Sequence, residues 1–244
     1  MVIDRRQFVQ ALVGLLASFS VYGSNTNRQW TGAEAVIRQR SCKIVGIGGA
    51  GCNLAIDLST DAAFDASDLT TEFIAIDLGK NSLRGVNTAN RTSPDRQASQ
   101  VIKTVVLSEF TKSRLHHNHV EVLHMREALR PRLVDAQMVI LLAGTAGNTG
   151  SSVTPIMARL AREMGAMTMV AVITPHEGEG EIRVHRSAAA VQTLQREANS
   201  VECFSAQALM EEVSGDINQN DFYENQDQQI FAYIHDLIQR ATKS

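Results

Sequence analysis

The amino-acid sequence predicts an α/β fold, a parallel sheet flanked by helices, and three features carry that prediction. Four short apolar runs recur along the chain, amphipathic stretches separate them, and two glycine-rich loops follow directly on two of the runs. Continuous apolar runs suit strands that are covered on both faces. Strands alternating with helices put ligand loops at the strands' carboxyl ends, the Rossmann-like arrangement.

The expected strands are Lys43–Ile47, Glu72–Ile76 ending at Asp77, Gln137–Ala143 and Met167–Thr174. Apolar residues at helical spacing predict helices over Asn53–Leu58, Arg96–Phe110, Glu127–Leu133, Thr154–Met164 and Ser187–Ala198. Phe222–Arg240 places Phe222, Ile230, Tyr233, Ile234, Leu237 and Ile238 on roughly one face and reads as a long terminal helix. Neither an internal repeat nor a low-complexity tract is visible.

Ahead of the strands, residues 1–30 read as a leader and linker, with the folded domain over 31–244. The twin arginine Arg5-Arg6, then Phe8, then an apolar run from Val9 to Tyr22 resembles a twin-arginine export signal, although Asp4 stands where Ser or Thr is usual. The alternative is an amphipathic leader helix. The run is shorter than the roughly 20 residues that span a bilayer, so no transmembrane segment is expected.

The 244 residues carry a formal net charge of −3, and 44% of them are hydrophobic, an ordinary globular balance that excludes disorder and a membrane bundle. Near-neutral charge and 5% aromatic content argue against a nucleic-acid surface. Cys42, Cys52 and Cys203 form no CxxC pair and read as packing residues rather than a zinc site or a disulfide framework. His117, His119 and Glu121 would share a face in an extended segment, but a solvated loop or helix face is favoured over a metal site. Met164, Met167 and Met169 suit packing, Asp61, Asp65 and Asp68 solubilise a loop, and no Ser-His-Asp arrangement stands out.

The first glycine loop runs from Gly46 to Asn53, GIGGAGCN, and offers Gly48, Gly49, Ala50, Gly51 and Asn53. Glycines let the backbone approach an anion without Cβ obstruction, and the following helix presents free N–H groups and its positive end. Gly46-x-Gly48-x-x-Gly51 also satisfies the dinucleotide fingerprint. In the second loop, Ala143–Ser152, Gly144, Ala146, Gly147, Asn148, Thr149, Gly150 and Ser151 make a wide turn rich in amides and hydroxyls. Two such loops at neighbouring strand ends can wrap one polyphosphate from both sides, whereas a dehydrogenase needs only the first.

With both loops in place, the chain resembles the FtsZ/tubulin GTPase family over about Cys42–Ala198. Lys43–Asn53 is similar to the family's first phosphate loop and Ala143–Pro155 to its glycine- and threonine-rich signature loop. Glu72–Asp77 resembles the strand that enters the next nucleotide loop. Val172–Arg183 is similar to the segment that touches ribose and phosphate, which by position implies Glu179, Gly180 and Arg183. The resemblance implies a tubulin/FtsZ-type nucleotide-binding domain that takes GTP or GDP, with Mg²⁺ as an optional companion.

Several positions depart from the family pattern. Its Asn-Thr-Asp after the second strand is Asp77-Leu78-Gly79, its third loop maps poorly onto Leu78–Asp95, and its base-reading Asn falls at Ala206. The terminal helix offers Asn225, Gln226 or Asp227 as another base contact. Ser214–Phe222 superficially resembles the activating loop but reads as an ordinary loop, and the chain stops at Ser244. The resemblance therefore implies a truncated module lacking the activating loop and carboxyl-terminal domain, at most a slow GTPase, with no catalytic residue assignable.

The leading expectation is a GTP-binding module with weak or absent hydrolysis, regulatory or assembly-associated, acting with a protein partner or by self-association. An NAD(P)-dependent oxidoreductase with Asp77 as the ribose acid, and a nucleotide-free scaffold, are the alternatives. The cytoplasm, where GTP is found, is favoured over export.

Overall fold

The structure, a computed structural model, describes residues 40–61, 64, 69–79, 83, 102–110, 119–212 and 219–242. The leader, the segment 84–101, His116 and His117, and most of Ser214–Phe222 lie outside the described residues.

Six parallel strands form one sheet: β1 (Arg40–Ile47), β2 (Leu69–Asp77), β3 (Lys103–Val106), β4 (Met138–Gly144), β5 (Met167–Thr174) and β6 (Ser200–Ser205). Their spatial order is β3-β2-β1-β4-β5-β6. The order reverses between β1 and β4, which pair in parallel from Cys42↔Met138 to Ile47↔Ala143. The crevice beyond such a switch point is where open α/β sheets bind ligands. Six helices accompany the strands among the described residues: α1 (Gly48–Leu58), α2 (His119–Leu129), α3 (Asn148–Glu163), α4 (Glu181–Glu197), α5 (Ala206–Glu212) and α6 (Gln219–Thr242).

Alternation along the central strands feeds two cores. Val45, Ile47, Ile74 and Ile76 face one way, toward Met125 and Leu129 of α2, Val153 and Met157 of α3 and Leu194 of α4. Ile44, Phe73, Ile140 and Leu142 face the other way, toward Leu54 and Leu58 of α1 and Ile230, Ile234 and Leu237 of α6. Both faces are covered, so the inner strands read as unbroken apolar runs. The terminal helix expected over Phe222–Arg240 is α6.

Three expectations need correction. Arg96–Phe110 is not a helix where it is described: Lys103–Val106 is β3, paired with β2 from Ile74↔Lys103 to Asp77↔Val106. As an edge strand it buries only Val105 and shows no apolar run, and short apolar spacings do not separate helix from strand. Edge strand β6 was missed for the same reason, since Glu202 and Cys203 are exposed. Glu127–Leu133 splits into the end of α2 and a 3₁₀ turn at Arg130–Arg132, because Pro131 breaks the α-helical ladder. The stretch Gln219–Phe222, expected in a loop, opens α6.

A fourth difference shapes the site. The helices expected from Asn53 and Thr154 begin at Gly48 and Asn148, so most of the first glycine loop and the latter half of the second are already helix. Gly, Ser, Thr and an internal Pro155 are poor helix formers, and tertiary packing overrides them.

Candidate functional site

β1 delivers the chain from Ile47 straight into Gly48, whose φ of 72° is a conformation that side chains rarely adopt. A Cβ there would lie 3.3 Å from both the Gly150 nitrogen and the Thr149 Cβ, so the first glycine turn packs directly on the second. Gly150 itself sits tightly, because a Cβ would fall 2.2 Å from the Gly144 carbonyl oxygen. The amino-terminal ends of α1 and α3 therefore come together at the switch point. Each carries roughly half a positive charge from its aligned peptides and leaves backbone N–H groups free for an anion.

Around these ends lies a cavity of about 1130 Å³. Gly48, Gly49, Ala50 and Asn53 line it from α1, and Gly144, Ala146, Gly147, Asn148, Thr149 and Gly150 from the β4–α3 turn. Asp77 and Glu179 complete the sequence-derived set within the lining. Leu78, Gly79, Ser108, Phe110, Ile173, Pro175, Tyr223, Gln226 and Asp227 line it as well. The described lining holds no Lys, Arg or His.

Five sequence-derived residues lie outside the lining, Gly180 among them. Gly51 is buried within α1, and Ser151 turns its hydroxyl to the Gly147 carbonyl at 2.8 Å. Arg183, in the first turn of α4, donates to Glu179, just ahead of that helix, at 3.0 Å. Asn225 is exposed, while its neighbours Gln226 and Asp227 face the cavity. Ala206 is buried at the start of α5 and does not line the cavity.

Ser108 and Phe110 follow β3 and were hidden by the helix expected there. Only recognition of an edge strand between Ile102 and Leu107 would have placed a ligand loop after it.

Asp77, at the end of β2, is 5% exposed. Its Oδ1 accepts both the Leu78 N–H at 2.7 Å and the Thr149 hydroxyl at 2.7 Å. Cys52 lies beneath the first turn, with its Sγ 3.6 Å from the carbonyl oxygens of Gly46 and Ile76. Burial, with the Asp77 charge added, pushes its thiol up to about 12, so it packs rather than reacts. Elsewhere in the lining, burial and the charge of Asp57 push the Asp227 carboxyl up to about 6. Gln226 is 2% exposed, and its Nε2 has no hydrogen-bond partner among the described residues. A buried amide without a partner is rare and is satisfied when a ligand supplies an acceptor.

His119 and Glu121 lie on helix α2, and no group of three metal-binding side chains occurs among the described residues.

Known proteins share this arrangement. The description "Tubulin/FtsZ family, GTPase domain" matches residues 41–214. The chain belongs to the tubulin/FtsZ family. The cell division protein FtsZ of Mycoplasmopsis pulmonis is 27% identical over 179 residues, 73% of this chain and 43% of that relative. The chain thus spans less than half the length of that relative. Among solved structures, an empty FtsZ dimer from M. jannaschii aligns with a TM-score of 0.61 at 18% identity, covering 94% of this chain and 60% of its own. CetZ2 from Haloferax volcanii, a GTPγS-bound protofilament, aligns with a TM-score of 0.59 at 18% identity, covering 81% and 58%. The two structures share the fold. The oxidoreductase alternative finds no support in these likenesses.

Proposed function

We propose that this tubulin/FtsZ-type domain binds GTP or GDP in the cavity at the β1–β4 switch point. The observation that carries the reading is the meeting of two helix amino-termini at a cavity that Gln226 and Asp227 also line. Phosphates belong at the helix ends, where main-chain N–H groups and dipoles attract anions. The base belongs beside Tyr223, Gln226 and Asp227. The Watson–Crick edge of guanine offers N1–H and N2–H₂ side by side, two donors for one carboxylate, and Gln226 Nε2 has a proton left to give. Glu179, also in the lining, suits a ribose hydroxyl.

Mg²⁺ would enter with the phosphates as its main ligands, since Mg²⁺ seldom relies on an all-protein cage and the described residues supply no such cage. Hydrolysis by these residues is slow. Asp77, the carboxylate nearest the phosphate end, already accepts two donors on one oxygen, and Glu179 is paired with Arg183. Without a general base, about 10²–10⁴ in rate is lost. A slow nucleotide cycle suits a regulatory or assembly role, by self-association as in the CetZ2 protofilament or with a protein partner. No described helix is long and apolar enough to cross a membrane. The cytoplasm, where GTP is abundant, is the proposed location, and fractionation of a tagged chain tests it against export.

The deciding experiment titrates the 244-residue chain with labelled GTP, GDP, ATP and NADH in Mg²⁺. Binding of GTP and GDP well ahead of ATP and NADH is expected. Binding of NADH alone, or of no nucleotide, overturns the reading.

A further inference from the structure

Helix α4 grips the second glycine turn from behind, through two consecutive residues. Thr145 is fully buried, and its N–H donates to the Ile173 carbonyl at 2.9 Å. Its hydroxyl lies 3.0 Å from that same oxygen and 2.6 Å from the hydroxyl of Ser187, which is 3% exposed. A carbonyl oxygen only accepts, so Thr145 spends its one proton on Ile173 and Ser187 must donate to Thr145. One residue earlier on the helix, Arg186 Nη1 donates to the Ala146 carbonyl at 3.0 Å.

The second bond fixes a direction. The peptide joining Ala146 to Gly147 is trans, so its C=O and N–H point to opposite sides of one plane. The carbonyl is held by a guanidinium that is not part of the cavity lining, while Ala146 and Gly147 themselves line the cavity. With the carbonyl drawn toward α4, the Gly147 N–H points away from α4. Flipping that peptide would turn a carbonyl oxygen toward the place where anions bind, and an amide donor would be exchanged for a repulsive dipole. Nothing in the glycine-rich turn itself prevents the flip, because a glycine follows the plane and tolerates either orientation.

We infer that Arg186 and Ser187 are positioning residues for the phosphate-binding turn: Ser187 anchors its base through Thr145, and Arg186 locks the 146–147 peptide with its N–H available to a phosphate. The inference rests on the nucleotide reading above and assigns a task to two residues that touch no ligand. It also places the lock on the helix that begins directly after Glu179 and Gly180, so the ribose segment and the phosphate turn share one rigid support.

The test uses the full chain and compares affinity for Mg²⁺-GDP with affinity for guanosine, which has no phosphate. Arg186→Gln is expected to weaken GDP binding roughly tenfold, the scale of one charge-assisted hydrogen bond, and to leave guanosine affinity unchanged. Arg186→Lys, which can still donate to Ala146, restores part of the loss. In the ligand-free chain, Ser187→Ala is expected to speed hydrogen exchange at the amides of Thr145 to Asn148 and nowhere else in the sheet. Unchanged GDP affinity in Arg186→Gln, an equal fall for GDP and guanosine, or unchanged exchange in Ser187→Ala overturns the inference. A parent chain that binds neither ligand overturns the nucleotide reading, and this inference falls with it.

Discussion

The Thr149 hydroxyl donates to Asp77 Oδ1 at 2.7 Å, tying the first turn of α3 to the end of β2 across 72 residues of sequence. The same oxygen caps the Leu78 N–H. Replacing Asp77 with Ala strands both donors in a buried place. It is expected to cost about 2 kcal/mol, the scale of an unsatisfied buried donor. A double-mutant cycle with Thr149→Val, read by urea unfolding, should give a coupling of about 1 kcal/mol. Additive single effects would show that the contact contributes nothing.

Two glycines of one turn separate shape from function. A Cβ at Gly150 would lie 2.2 Å from the Gly144 carbonyl oxygen, whereas one at Gly147 would meet nothing nearer than 3.8 Å. Gly150→Ala should push α3 off β4, lowering the unfolding midpoint and abolishing nucleotide binding together. Gly147→Ala should fold like the parent, and a loss of GDP affinity in that variant reads on the phosphate site alone. Equal thermal stability for the two variants would contradict this.

Acid should favour the fold through Asp227. Its carboxyl is raised from 3.8 to about 6 by burial and by Asp57, itself raised by burial. An acid with a higher pKa in the folded state binds more protons there than unfolded, so its contribution to stability falls as pH rises through that window. Asp227→Asn should raise the melting temperature at neutral pH and flatten its decline between about pH 4 and pH 6. An identical pH profile for parent and variant would rule the effect out.

The opposite end of the sheet offers a control. Lys43, 7% exposed on β1, bonds Glu72 Oε2 at 2.8 Å, and Lys103 holds the other carboxylate oxygen. Glu72→Gln removes the carboxylate bonded to buried Lys43, leaving only the more general pull of the Asp135 charge, and should cost about 2 kcal/mol in chemical denaturation. These three residues sit away from the strands' carboxyl ends, so GDP affinity measured well below the melting temperature should not move.

The inner strands were legible because both their faces are covered: the residues of β4 and β5 are apolar nearly throughout. The edge strands were not. β3 and β6 each leave a face to solvent, and Lys103 or Glu202 at such positions reads as helix or loop. The site was legible where glycine is required, at the two turns, and at Asp77. It was blurred where a helix merely passes the cavity, since Asn225, Gln226 and Asp227 look alike in sequence and only the rotation of α6 about its axis chooses among them. The helix starts were misplaced by six residues at Asn148 because tertiary contact, not propensity, begins α3 there.

The described walls of the proposed phosphate pocket bear no cationic side chain. Its described lining draws anions through main-chain N–H groups and helix ends rather than through a cationic side chain. Such a lining is sensitive to geometry: a methyl group in the wrong place spoils it, and so does a peptide turned over once Arg186 no longer holds it.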